Sequence, residues 1–189
     1  MPPHHPAAAL ARRDTIGAST PVMTLADLAD LELIKLLKHR YMRCLDQKRW
    51  DEIEGCFTED AVASYSAGKY AFAGRAAIVD FFRSAMDRKS FLSSHRVHQP
   101  EIELTGPTAA TGVWAMEDYV IDTERNITIH GAAFYTDEYV KRDGTWLIAR
   151  TGYERTFEEV QPRDGTSPPV LTASFWGTGG RSELPAPKA

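Results

Sequence analysis

The chain has 189 residues, with 22 Lys and Arg against 26 Asp and Glu and a formal net charge of −4. An acidic balance offers little to a phosphate backbone, which excludes nucleic acid as the main partner. Hydrophobic content of 43% supports a proper core, the length suits one domain, and no apolar run approaches the roughly 18–20 residues of a membrane span.

Residues 1–23 mix Pro, His, Ala, Arg, Ser and Thr without periodicity and are expected to form a flexible arm. Its apolar patch, Ala7 to Leu10, is too short for a secretory leader, so a cytoplasmic location is expected. Leu25, Leu28, Leu31, Ile34, Leu37, Tyr41 and Leu45 then recur at three- and four-residue spacing. That spacing predicts a long amphipathic helix over about 24–47, with Thr24 as cap and Asp27 as the capping-box acid. A shorter helix is expected from Trp50 to Phe57, then a strand near Ala61 to Ser66, a turn at Ala67-Gly68-Lys69 and a return from Tyr70 to Phe72. A third helix is expected from Arg75 to Met86, followed by four strands near 96–104, 109–121, 128–140 and 145–157. Gly106-Pro107 and Asp143-Gly144 mark two of the turns between them. Residues 161–189 are rich in Pro, Gly, Ser and Thr and read as an arm, partly disordered or draped on a neighbour, with Phe175 and Trp176 able to dock. Cys44 and Cys56 are too few for a disulfide scaffold and read as reduced thiols.

Helices ahead of a meandering antiparallel sheet make an α+β fold, here one domain over 24–160. A strongly curved sheet around the long helix would leave a conical apolar cavity. Gly112, Gly131 and Gly152 are where such strands could bend.

Four acid–base groups lie in segments that otherwise read as core. Tyr41 continues the apolar stripe of the first helix, and Asp46 closes that helix. Asp118 shares a strand face with Trp114, Met116 and Val120, so it must find a partner or change protonation state. His95 is the nearest candidate by chemistry. A phenol, an imidazole and two carboxylates in an apolar cavity would form an acid–base site for a greasy substrate. Tyr65, Phe82, His98, Trp114, Met116, Phe134 and Arg155 are the expected lining, Arg155 either meeting an anionic tail or neutralising Asp118 or Glu117. Each has a plainer reading: Tyr41 as a core tyrosine, Asp46 as a helix end, Asp118 paired with Arg155 for structure. A bulge at Pro100 would decide which of His95 and His98 points inward.

The phrases Arg40-Tyr41-x-Arg43-Cys44-Leu45-Asp46, Trp50-Asp51-Glu52, His95-x-x-His98-x-Pro100-Glu101-Ile102, Glu117-Asp118 and Thr151-Gly152-Tyr153-x-Arg155 occur in that order. Their joint pattern resembles the nuclear-transport-factor-2-like (NTF2-like) superfamily in its polyketide-cyclase-like, SnoaL-like branch, and within it the bile-acid 7α-dehydratases. The resemblance implies a cone-shaped fold of three helices on a curved sheet, and a site at Tyr41, Asp46, His95 and Asp118. It also implies a lyase without cofactor or metal that removes water from a bulky 3-oxo-4-ene steroid, free or as a coenzyme-A thioester. For such chemistry His95 is assigned as base and Asp118 as its orienter. Tyr41 becomes the donor at the developing oxyanion or at the leaving group, supported by Asp46. His95, His98 and Asp118 could also form a facial metal set, but no His-x-Glu or Cys-x-x-Cys phrase accompanies them. The alternatives are an isomerase or cyclase using nearly the same groups, and a non-catalytic binding module or scaffold on the same fold.

Strands 109–121 and 128–140 carry apolar residues at both parities, more than a sheet with one wet face needs. A homo-oligomer through the outer sheet face is therefore expected, and the resemblance favours a trimer over a dimer.

Overall fold

Thr24 opens the first helix with a reciprocal capping box: the Asp27 backbone N–H donates to Thr24 Oγ1 at 3.1 Å, and the Thr24 N–H donates to Asp27 Oδ2 at 2.8 Å. Helix α1 (Leu25–Asp46) buries Ile34, Leu37, Tyr41 and Leu45 on one side. The computed structural model describes residues 23–166 and 170–185. The expected N-terminal arm up to residue 22 lies outside the described residues, as do the side chains of Phe175 and Trp176.

Helix α2 (Trp50–Glu54) is shorter than its pattern suggests. Gly55 ends it, and Phe57 opens strand β1 (Phe57–Tyr65) opposite Ile148. Strand β2 (Tyr70–Ala73) returns after a tight turn in which Ser66, Ala67 and Gly68 all have positive φ. Helix α3 (Arg75–Met86) follows, then the long strands β3 (Phe91–Gly106), β4 (Ala109–Asp122), β5 (Ile127–Arg142) and β6 (Thr145–Pro162). Strand β7 (Val170–Ser174) and the short helix α4 (Phe175–Thr178) complete the order.

The sheet runs β2-β1-β6-β5-β4-β3, with β7 added beside the far half of β6. Every pairing is antiparallel except β1 with β6. Three helices before a curved mixed sheet are the α+β architecture expected. Strand β4 alternates cleanly: Ala110, Trp114, Met116, Asp118 and Val120 are buried, while Thr111, Glu117 and Tyr119 are exposed. Its even-numbered face therefore points at the helices.

The expected bulge at Pro100 is present. Gln99 takes a positive φ of 46°, and the β3–β4 register slips between His98 and Glu101. Gly131 lies beside a register slip between β5 and β6, at Ala132/Ala133. A Cβ on Gly152 would lie 2.4 Å from the Ser64 carbonyl oxygen, so that glycine permits the close parallel approach of β1 to β6. A Cβ on Gly131 would lie 2.7 Å from Arg155 Nη1, so that one makes room for a buried guanidinium.

Strand β6 runs past its expected end, and the following segment folds back on its own sheet. β7 pairs with Phe157 to Val160, and the Arg155 backbone N–H donates to the Gly180 carbonyl at 3.0 Å. Cys44 and Cys56 are buried free thiols, and burial pushes Cys56 up to about 12. Among the described residues no helix is long and apolar enough to cross a membrane.

Candidate active site

Between α1, α3 and the inner face of the sheet lies a cavity of about 180 Å³. Its wall includes the rings of Tyr41, Tyr65, Phe81, Phe82, Tyr135 and Tyr153, and its ionisable side chains include His95, Asp118, Arg155 and Glu158, with Arg88 and Arg125.

The last residue of α1 holds the histidine. A carboxylate at a helix C-terminus opposes the macrodipole, so Asp46 does not favour the helix it ends. Three bonds to β3 account for it: from Ser93 Oγ at 2.9 Å, from the His95 backbone N–H at 2.8 Å, and with His95 Nδ1 at 2.7 Å. An ionised carboxylate only accepts, so Nδ1 donates to Asp46, and in the neutral imidazole Nε2 then keeps its lone pair. Asp46, not Asp118, therefore orients His95. The strand pattern misled because Asp118 does face His95 across the β3–β4 pair, but its oxygens are taken.

Arg155 takes them. Its Nη1 and Nη2 donate to the two oxygens of Asp118, the second at 3.0 Å, and Nη2 also lies 3.1 Å from Glu158 Oε2. All three side chains are buried. Burial pushes the Asp118 carboxyl upward, but the charge and hydrogen bonds of Arg155 outweigh it and hold the group below its ordinary value. Arg155 thus meets two carboxylates, and the anionic-tail role considered for it is filled by the protein itself.

Tyr41 is fully buried, and its hydroxyl lies 3.1 Å from that of Tyr65, not against Asp46. Its ring stands edge-on to Phe57, Phe82 and Tyr135. Burial raises the Tyr41 phenol well above its ordinary value, so near neutrality it is a proton donor rather than a base.

Of the remaining expected residues, Tyr65, Phe82 and Arg155 line the cavity. Trp114 and Met116 point inward but lie deeper in the core, where Trp114 Nε1 donates to Tyr139 Oη at 2.8 Å. His98 is exposed in an outer groove with His39 and Arg96, which the back of the Asp46–His95 pair also reaches. Phe134 is 52% exposed on the outer sheet face. It shares parity with Thr136 and Glu138, the polar side of β5, and that signal was readable. The same alternation places Tyr135, Asp137 and Tyr139 inward.

Sequence reasoning missed a second charged pair. Lys38 and Asp137 are both fully buried, with Nζ 2.7 Å from Oδ2. The contact is a close, buried ion pair. The ammonium sits 3.5 Å from the ring centroid of Tyr135 and 4.9 Å from that of Tyr41. Asp137 also accepts from Tyr139 Oη at 2.6 Å and Thr151 Oγ1 at 2.7 Å. Among the described residues no three His, Cys, Asp or Glu side chains are placed to hold a metal ion.

Three helices and a curved mixed sheet around such a cavity are the architecture of an NTF2-like domain. Residues 26–152 match the model of the SnoaL-like domain, and the chain belongs to that family. An uncharacterized protein of Mycobacterium tuberculosis is 23% identical over 139 residues, which cover 74% of this chain and 94% of that one. Among solved structures, a candidate scytalone dehydratase from Novosphingobium aromaticivorans superposes with a TM-score of 0.65 at 22% identity, covering 70% of this chain and 87% of the other. A hexachlorocyclohexane dehydrochlorinase from Novosphingobium barchaimii does so with a TM-score of 0.66 at 21% identity, covering 77% and 99%. At these identities the likeness is one of fold.

Proposed function

We propose that this protein is a cofactor-independent lyase, a dehydratase that removes water from an apolar enone by proton abstraction. The observation that carries the reading is the Asp46–His95 pair on a cavity rich in aromatic rings. His95 Nε2 takes a proton from the carbon acidified by the conjugated carbonyl, and Asp46 stabilises the imidazolium. Asp118, ionised across the strand pair, adds a second favourable charge. Tyr41, with its hydroxyl on Tyr65, donates to the oxygen where charge develops or to the departing hydroxyl. The names of the two solved relatives describe eliminations, which agrees with a lyase.

The finer reading is an enone of the kind the bile-acid 7α-dehydratases take, with or without a coenzyme-A thioester. A cavity of about 180 Å³ lies below the roughly 300–1,000 Å³ of sites for drug-sized ligands. At that volume it suits one or two rings better than a steroid. The test is incubation with 7-hydroxy-3-oxo-4-ene steroids, free and as coenzyme-A esters, alongside compact bicyclic hydroxy-enones. Absorbance at longer wavelength, from the extended dienone, should grow with the wild type and not with His95→Ala. Rearranged product without loss of water would replace the dehydratase reading by an isomerase or cyclase, and binding without turnover by a ligand-binding module. Copies are further proposed to assemble through the outer sheet face, where Phe134 and Tyr119 are 52% and 46% exposed.

A further inference from the structure

One wall of the cavity comes from neither a helix nor the main sheet. Ser182, Leu184 and Pro185, after the last helix, border the same space as Tyr41 and His95. They are held there by polar bonds. Lys69 Nζ, from the turn between β1 and β2, donates to the Ser182 carbonyl at 2.6 Å and also to the carbonyl of Leu184. The Ser182 N–H donates to Ser66 Oγ at 2.7 Å, and its hydroxyl donates to Glu158. The Glu183 N–H donates to the Thr172 carbonyl at 2.8 Å.

We propose that residues 181–185 are a specificity-determining strap, clamped by Lys69, that restricts the cavity to compact ligands of one or two rings and must detach before a four-ring ligand enters. Three observations support it. The cavity that the strap borders is small. The strap is tied down by hydrogen bonds involving Lys69, Ser66 and the Glu183 amide, and none of its residues belongs to the main hydrophobic core. Two of them are charge-assisted and come from one side chain, Lys69, that makes no other hydrogen bond among the described residues. The proposal rests on reading this cavity as the substrate site, but it does not depend on the acid–base mechanism.

The test uses two neutral probes, 2-naphthol and progesterone, with binding followed by calorimetry on the full chain. The wild type should bind 2-naphthol at least about tenfold more tightly than progesterone. Lys69→Met loses a charge-assisted clamp and should narrow that ratio by about tenfold, mostly through the steroid. Ser182→Ala, which removes only a hydroxyl and leaves the main-chain clamp, should narrow it less. Hydrogen exchange at the Glu183 amide should quicken in both variants. Turnover of the hydroxy-enones is read separately: its absence with the probe ratio and its dependence on Lys69 intact would refute the lyase reading and not this one. The proposal is overturned if the wild type fails to bind 2-naphthol, if it binds both probes equally, or if Lys69→Met speeds exchange at Glu183 while leaving the ratio unchanged.

Discussion

Replacing Lys38 by Met tests whether the core carries a real ion pair. Both side chains of the Lys38–Asp137 pair are fully buried, so surface screening does not weaken the comparison. Removing one partner of a buried pair typically costs about 3–5 kcal/mol, because the other charge is left without compensation. Here Asp137 keeps two donors, Tyr139 Oη and Thr151 Oγ1, which places the expected loss near the lower end, about 3 kcal/mol. At about 2–4 °C per kcal/mol for a chain of this length, Tm should fall by roughly 6–12 °C. The double variant Lys38→Met, Asp137→Leu should recover part of the loss and not all of it. Two hydroxyls then lose their acceptor, although Tyr139 still accepts from Trp114. Urea denaturation followed by circular dichroism gives each value and the coupling between the two sites. If Lys38→Met stays within about 1 kcal/mol of wild type, an ordinary figure for point substitutions, the buried pair as described is wrong.

Asp46→Asn should lower turnover by roughly 10²–10⁴ and His95→Ala by at least as much, with folding judged by circular dichroism; full activity in His95→Ala removes the assigned base. Tyr41→Phe keeps the ring and deletes the donor, so kcat should drop about 10²–10³ while KM changes little, whereas a variant that loses stability and keeps its rate makes Tyr41 a core tyrosine. Arg155 holds the Asp118 carboxyl below its ordinary 3.8, so between the two values the unfolded chain binds more protons than the native one. The stability from this pair is complete above the ordinary value and is lost as pH falls through the native one. Asp118→Asn should therefore flatten the acid limb of stability in urea titrations taken from about pH 5 downward. Sedimentation at micromolar concentration should give an oligomer, and a single species at the 21.1 kDa monomer mass would refute assembly through the outer face.

Much of the fold was legible because periodicity and turn chemistry agreed. The stripe from Leu25 to Leu45, Thr24 with Asp27, and Asp143-Gly144 each marked an element that is present. The second helix was overextended because Phe57 continues its apolar spacing, and only pairing with Ile148 claims that residue for β1. In the site, the residue types were legible and their partners were not. Period-2 reading places Asp118 and His95 on one ladder, and they are indeed opposite. It has no term for a helix end crossing a strand, and that crossing is what brings Asp46 to His95. Lys38 was missed because a charged residue beside an apolar stripe is read as solvated, though its spacing of four from Ile34 and three from Tyr41 was a usable signal. The strap was beyond reach, since its contacts join Lys69 to residues more than a hundred positions later.

The charges on the cavity wall limit what the site can hold. Asp118 and Glu158 flank the Arg155 guanidinium, and Lys69 lies within electrostatic reach of Glu158, so the cations on that side of the cavity are already matched to carboxylates. A neutral ring system tolerates this, and an imidazolium formed at His95 has Asp46 as its counter-charge. A carboxylate or phosphate buried at the same depth would find those cations already paired, in a medium that screens poorly. The anionic part of any thioester substrate must therefore remain at the rim. There Arg88 and Arg125 border the cavity, with side chains 32% and 48% exposed and already shared with Asp122. Rim contacts of that kind are worth little once salt is present. Discrimination should thus come from the fit of the ring system against the phenols and the strap, with the thioester adding little to affinity.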